Sequence, residues 1–274
     1  ANNNLEFREL TTFKYKIQNL IDEKIKNEEA SHISVYFRDL NNGPWTGINE
    51  KENFAPASLL KLPIMIAYFR MAESNQQLLS KIITFDSKNA EGLAENIKPQ
   101  EEIELGQSYS VEDLIGRMII FSDNSAANLL RRNADKKLFY KPYKDLGIII
   151  EDVIGPDDFM SVKTYASFFR ILFNASYLSR DFSQKALDIL SRSDFKDGLV
   201  AGVPENIIVA HKFGERIFKD PAKNVQIHDC GIIYYPSRPY LLCIMTKGGE
   251  IDTLPKVIAE ISRLVYNEID KQKK

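Results

Sequence analysis

Cysteine is scarce: Cys230 and Cys243 are the two in 274 residues. That excludes a disulfide-stapled scaffold and a cysteine-rich zinc module. Two free, part-buried thiols are expected, with pairing to each other the alternative. Histidine is scarce too, at His32, His211 and His228. There is no His-Glu-x-x-His. His228 and Cys230 flank Asp229 but lack two further close ligands, so no metal site is expected. Long apolar runs are missing as well. The nearest, Leu59 to Phe69, is interrupted by Lys61 and Pro63 and falls short of the roughly 18 residues of a membrane span. The N-terminal Ala-Asn-Asn-Asn has neither the basic nor the apolar region of a secretory signal. No charge of one sign dominates: 36 Lys and Arg face 38 Asp and Glu, a net charge of −2. No strong field therefore points to nucleic acid or an anionic membrane. Internal repeats and low-complexity segments are also missing, as are a Gly-x-x-x-x-Gly-Lys phosphate loop and a Gly-x-Ser-x-Gly elbow.

What is there fits a globular enzyme-sized protein. The chain is 44% hydrophobic and 27% charged, close to the soluble average. Its length allows burial of about 70% or more of the unfolded chain's surface. Residues 5–29 carry apolar positions at helical spacing, from Leu5 to Ile25. Ser31 to Leu40 alternates, with Ile33, Val35 and Phe37 on one face. The turn Asn41-Asn-Gly-Pro44 then predicts a hairpin with a second strand from Trp45 to Phe54. Pro56-Ala57-Ser58 opens a helix that is apolar on nearly every face, which predicts burial on all sides. From about 75 to 205 the pattern is mostly helical, with polar loops at 86–104 and 151–158. Ser110-Val-Glu-Asp113 reads as a capping box. Strand character returns at 206–210, 231–235 and 240–246, and a last helix is expected over 253–270.

Strands at both ends and helices between them predict an α/β (α+β) fold. An antiparallel five-stranded sheet would be built from both termini and flanked by helices. A mostly helical lobe would be inserted in it. The whole chain, 1–274, is read as one domain with two sublobes, 1–56 with 206–274 and 57–205. A groove between such lobes is a natural ligand site.

Three short elements carry chemistry. Ser58-Leu-Leu-Lys61 puts a hydroxyl and an amine at i and i+3, on one face of a helix. Burial of the amine and a second ammonium nearby would both favour the neutral base. A serine at a helix start also offers its N–H to an oxyanion. A second match, Ser193-Asp-Phe-Lys196, lies in a polar stretch and is set aside. Ser122-Asp-Asn124 is the only such triplet. In it Asp123 could simply cap a helix, Ser122 could shuttle a proton, and Asn124 could hold a substrate amide. Lys212-Phe-Gly214 follows the strand-like Ile-Ile-Val-Ala-His211. Here Gly214 allows close approach of a ligand to the backbone. The N–H of Glu215 would be a second oxyanion donor, and Lys212 a positive charge for an anionic substrate.

In this order the elements resemble the class A β-lactamase and penicillin-binding serine hydrolases, whose signature is Ser-x-x-Lys, Ser-Asp-Asn and Lys-Thr-Gly. Phe54-Ala-Pro-Ala-Ser-Leu-Leu-Lys-Leu-Pro, Ser122-Asp-Asn-Ser-Ala-Ala-Asn-Leu-Leu and Asp194-Phe-Lys-Asp-Gly extend the likeness. The resemblance implies a class A β-lactamase-like fold and an acyl-enzyme on Ser58. Lys61 and Ser122 would be its other catalytic residues, and Asn124, Lys212, Phe213, Gly214 and Glu215 would bind substrate. It implies no cofactor. The substrate would be a β-lactam or a peptidoglycan-derived D-alanyl amide, met outside the cytoplasm by a monomer. Two departures matter. The family's Glu-x-x-Leu-Asn, whose glutamate activates the deacylating water, is absent from the chain. The acidic residues Glu151, Asp152, Asp157 and Asp158 of the corresponding stretch read as a solvated loop. Slow deacylation is therefore expected, or a penicillin-binding protein without turnover, or a D-alanyl peptidase or esterase. Phe213 also replaces the hydroxyl that binds the substrate carboxylate; His211 and Arg216 could compensate unless strand alternation points them elsewhere.

Overall fold

A computed structural model of the chain describes residues 2–41, 43–75, 77–86, 97, 100–148, 158–218 and 225–272. Contacts divide it into two compact units. One comprises Ala1–Ala57, Asp157–Ala166 and Lys196–Lys274; the other comprises Ser58–Pro156 and Ser167–Phe195.

The first unit holds a five-stranded antiparallel sheet. Its strands are β1 (His32–Asp39), β2 (Trp45–Ile48), β7 (Val209–Arg216), β8 (Gln226–Ile233) and β9 (Tyr240–Lys247), in the order β2-β1-β9-β8-β7. The strand period of two separates its faces. Ile33, Val35 and Phe37 of β1 join Leu242 and Ile244 of β9 and Ile227 and Ile233 of β8 in one core. That core is completed by Phe13, Ile17 and Ile21 of α1 (Asn2–Lys26) and by Leu254, Val257, Ile258, Ile261 and Val265 of the last helix, Leu254–Lys271. The two terminal helices therefore cover the same sheet face.

The hairpin strand expected from Trp45 to Phe54 is divided. Only Trp45–Ile48 pairs with β1, and the short β3 (Asn53–Phe54) pairs with β6 (Met160–Ser161). The strand expected over 206–210 starts later, at Val209, and runs on through the Lys-Phe-Gly motif. The free-thiol expectation is also corrected: Cys230 and Cys243 form a disulfide. They face each other in the β8/β9 register with Cα atoms 3.9 Å apart, and both are fully buried. Directly opposed residues of neighbouring antiparallel strands point to the same side, which brings the sulfurs together.

The second unit is built around α2 (Lys61–Ser74). Leu62, Met65, Ile66, Ala67, Tyr68, Phe69 and Ala72 are all buried, as a helix apolar all round requires. Around it lie α3 (Gln77–Ser80), α4 (Val111–Ile120), α5 (Asn124–Asn133), α6 (Lys136–Phe139), α7 (Lys141–Asp145) and α9 (Arg180–Leu190); α8 runs Val162–Phe173, its residues up to Ala166 belonging to the first unit, and the terminal helix 254–271 is α10. Strands β4 (Ile82–Thr84) and β5 (Ser108–Ser110) form a small two-stranded antiparallel sheet within the stretch read as mostly helical. Ser110 caps α4 as the capping box predicts, its Oγ accepting the Asp113 N–H at 3.0 Å.

Candidate active site

The segment before Ser58 is tied to the sheet. The Ala55 N–H donates to Gln226 Oε1 at 2.9 Å, and His228 Nε2 lies 2.9 Å from the Ala55 carbonyl. The other His228 nitrogen, Nδ1, accepts from the Thr246 N–H at 3.3 Å. This is the neutral ring with its proton on Nε2. Burial pushes the His228 pKa down to about 4, although the bond to the Ala55 carbonyl works the other way. The chain then turns sharply. Ala57 has φ +50°, a left-handed conformation costly for a residue with a Cβ. A 3₁₀ turn, Ala57–Leu60, follows and carries the partly exposed Ser58. Residues at i and i+3 eclipse in such a turn, so Lys61 comes one turn after the serine on the same side.

Lys61 begins α2 and is 4% exposed. Its Nζ donates to the backbone carbonyl of Ser122 and lies 3.1 Å from the Ser122 hydroxyl. Ser122 is also held in a left-handed conformation, at φ +60°. Strained non-glycine backbone persists only where its surroundings over-determine it. Asp123 supplies part of that restraint. It is 1% exposed and caps α5, Oδ1 accepting from the Ala126 N–H at 3.0 Å, while Oδ2 accepts from the Ile103 N–H at 2.9 Å. Asn124 is the first residue of α5. The structure thus brings Lys61 and Ser122 into hydrogen-bond contact, one turn from Ser58 and two residues from Asn124.

Lys212, Phe213, Gly214 and Glu215 lie in the other unit, on β7, an edge strand of the sheet. Lys212 is fully buried. Its Nζ donates to the Phe213 carbonyl at 3.0 Å and sits 4.3 Å from the centroid of the Phe213 ring. Gly214 is paired with His228 in the β7/β8 register. The two side chains considered as compensation, His211 and Arg216, are engaged elsewhere. His211 is fully buried, with Nδ1 2.8 Å from Asp229 Oδ1, and Asp229 Oδ2 accepts from the Leu199 N–H at 2.9 Å. The Arg216 guanidinium lies over the Phe218 ring at 5.1 Å.

Of the four acidic residues read as a solvated loop, Glu151, Asp152 and Asp157 lie outside the described residues. Asp158 does not fit that reading. Gln226 donates to its Oδ1 at 2.8 Å and Lys247 to its Oδ2 at 2.5 Å. Burial pushes its pKa up, but these two donors and the Lys247 charge outweigh it, and the carboxyl is held below its ordinary range. The clamp of Gln226 and His228 on Ala55 was likewise not anticipated, because single polar residues in a strand carry no signal of what they reach.

The family model of the beta-lactamase enzyme family matches residues 12–269. The chain belongs to that family. Solved structures agree on the fold. A beta-lactamase of Chitinophaga pinensis is 18% identical, with TM-score 0.79 over 94% of this chain and 99% of that one. A class A beta-lactamase representative from Bacteroides cellulosilyticus is also 18% identical, with TM-score 0.78 over the same shares. A Leu-to-Glu variant of PBP-A, in acyl-enzyme complex with penicillin G, is 23% identical, with TM-score 0.77 over 96% and 97%. Among curated proteins none matches the chain. Among the described residues no helix is long and apolar enough to cross a membrane.

Proposed function

We propose that the chain is an acyl-serine hydrolase of β-lactams or D-alanyl amides, with Ser58 as nucleophile. The observation that carries this reading is the buried contact of Lys61 Nζ with Ser122, one turn from Ser58. In the proposed reaction neutral Lys61 takes the Ser58 proton as Oγ attacks the acyl carbonyl. The tetrahedral intermediate collapses when Ser122 passes a proton to the departing nitrogen and regains one from Lys61. This step leaves an ester on Ser58 and an amine, which departs from a D-alanyl amide but stays tethered to the opened ring of a β-lactam; water then cleaves the ester. Asn124 is assigned to the substrate amide. Lys212, Gly214 and the Glu215 N–H enter the reading through motif order. Slow release is part of it, because no Glu-x-x-Leu-Asn supplies a base for the deacylating water. Cell-wall-type substrates place the protein outside the cytoplasm. The competing reading, a protein acylated once without turnover, rests on that same missing glutamate.

Intact-protein mass spectrometry after incubation with benzylpenicillin tests the proposal, with Ser58→Ala as control. A penicilloyl adduct on the wild type alone supports it, and the adduct's lifetime separates turnover from trapping. An adduct that survives Ser58→Ala removes the nucleophile assignment. With no adduct, hydrolysed penicillin in the same tube shows fast turnover. With neither, β-lactams are not substrates.

A further inference from the structure

We propose that Asp158 is a positioning residue for the reaction at Ser58, acting through the side-chain amide of Gln226 on the backbone that leads into the nucleophile. The inference rests on the reading of Ser58 as that nucleophile. Asp158, Gln226, Lys247, His228 and Ala55 all belong to the first unit, and the effect reaches Ser58 along the chain itself. Gln226 and Lys247 stand opposite each other in the β8/β9 register, and both donate to Asp158, at 2.8 and 2.5 Å. These donors keep the carboxyl ionised, and an ionised carboxylate accepts but cannot donate. It therefore admits only the NH₂ end of the Gln226 amide. The other end, Oε1, is turned to the Ala55 N–H, from which it accepts at 2.9 Å. Gln226 is fully buried and Ala55 is 4% exposed. A flipped amide would set two acceptors together at Asp158 and two donors at Ala55, and leave the buried Ala55 N–H unpaired.

Little freedom remains between this anchor and Ser58. The Ala55 carbonyl is held by His228, and the Phe54 carbonyl accepts the Phe159 N–H at 3.1 Å. Pro56 has a fixed φ, and Ala57 is held at φ +50°. Such a residue keeps its conformation only while its neighbours over-determine it. The two bonds at Ala55 are that restraint on its N-terminal side. The 3₁₀ turn Ala57–Leu60 then carries Ser58. Reacting groups tolerate little displacement: about 1 Å costs about 10²-fold in rate.

The test measures the acylation rate constant at saturating benzylpenicillin and the half-saturating concentration, well below unfolding, beside urea midpoints. Gln226→Glu keeps an acceptor for Ala55 but sets a second carboxylate against Asp158. It is expected to lower the rate constant roughly 10²-fold, with half-saturation little changed. Combining it with Asp158→Asn exchanges donor and acceptor. The new amide at 158 can donate to the new carboxylate at 226 and still accept from Lys247, so most of the lost rate is expected to return. Asp158→Ala, which removes the acceptor without adding repulsion, covers the case in which Gln226→Glu does not fold. It is expected to lower the same rate constant roughly tenfold, the scale of one hydrogen bond to a charged group. A fall in urea midpoint with an unchanged rate constant overturns the proposal, as does a loss confined to half-saturation or a paired variant as slow as Gln226→Glu alone. If benzylpenicillin does not acylate the wild type, the hydrolase reading falls on its own, and hydrogen exchange decides whether Asp158 positions the turn. Faster exchange of the Ala55 amide and of the Ala57–Leu60 turn in Gln226→Glu, restored in the paired variant, supports it; unchanged exchange in the turn overturns it.

Discussion

Lys61 Nζ donates to the backbone carbonyl of Ser122 while lying 3.1 Å from the same residue's hydroxyl. One amine thus reads both the backbone position and the side chain of Ser122, whose φ of +60° aims them together. Ser122→Ala keeps the carbonyl contact and removes the hydroxyl. It is expected to lower the acylation rate roughly 10²–10⁴-fold, the usual worth of a positioned proton-transfer group, with the denaturant midpoint little changed. Lys61→Met leaves the Ser122 carbonyl without this buried donor and is expected to lose both acylation and stability. Adduct formation timed by mass spectrometry, beside urea unfolding, separates the two effects. Equal losses of stability in both variants would argue that the contact is structural alone.

Ala57 sits between the Ala55 clamp and Ser58 at φ +50°. A β-branched residue tolerates that conformation far less well than alanine. Ala57→Val is expected to cost about 1–3 kcal/mol. That would lower Tm by about 2–4 °C per kcal/mol in a domain of this size. Ala57→Gly relieves the strain but adds freedom to the unfolded chain, and the two nearly offset. Calorimetry of both variants checks the pair; an unchanged Tm for valine would show that the turn is not constrained.

Much of the fold was legible because it rests on local periodicity. The run Leu62 to Phe69 is apolar on every side, and so it is buried on every side. Ile33, Val35 and Phe37 alternate, and so they share one sheet face. What was not legible depends on pairings between distant segments. β3 is two residues long, too short to show a period, and its partner β6 lies more than a hundred residues on. The disulfide depends on a register that puts Cys230 opposite Cys243. Asp158, read as part of a solvated loop, is anchored by Gln226 and Lys247 from two sheet strands. In the candidate site the residue types and order were readable, and the resemblance singled them out. The contact between Lys61 and Ser122, 61 positions apart, and the ring of Phe213 over Lys212 needed three dimensions.

His228 predicts a specific pH dependence. Its ring is buried and neutral, bonded to the Ala55 carbonyl and the Thr246 N–H. Its folded pKa is depressed to about 4 from an ordinary 6.5. Between these values the unfolded chain binds the extra proton and the folded chain does not. The stabilisation from neutral His228 is therefore complete above pH about 6.5 and is lost as the pH falls towards about 4. The shift corresponds to a loss on the order of 3 kcal/mol over that window. Urea unfolding from pH 4 to 7 measures it, and the ring proton shift of His228 by NMR reads the group directly. A ring that titrates near pH 6.5 in the folded protein would remove the explanation; His228→Gln, which keeps a neutral donor, is expected to flatten the same window.

Asp123 tests whether the middle residue of Ser122-Asp-Asn124 acts on chemistry or on architecture. Its two oxygens hold two backbone donors, Ala126 N–H at the start of α5 and Ile103 N–H in the segment before β5. No reacting group is needed to explain a carboxylate used in this way. Asp123→Ala removes a helix cap, worth about 1 kcal/mol, and leaves the buried Ile103 N–H without its acceptor, a further cost of about 1–3 kcal/mol. Asp123→Asn retains one acceptor oxygen, so its loss should be smaller. Both variants are expected to keep Ser58 reactive at temperatures well below unfolding, because the Lys61 amine is held by the carbonyl and hydroxyl of Ser122, which neither substitution removes. Stability from urea midpoints is therefore expected to fall in the order wild type, Asn, Ala, while the acylation rate of the folded fraction falls much less. If Asp123→Asn instead kept full stability and lost acylation, the carboxylate charge itself would belong to the reaction, and the capping account of this residue would be incomplete.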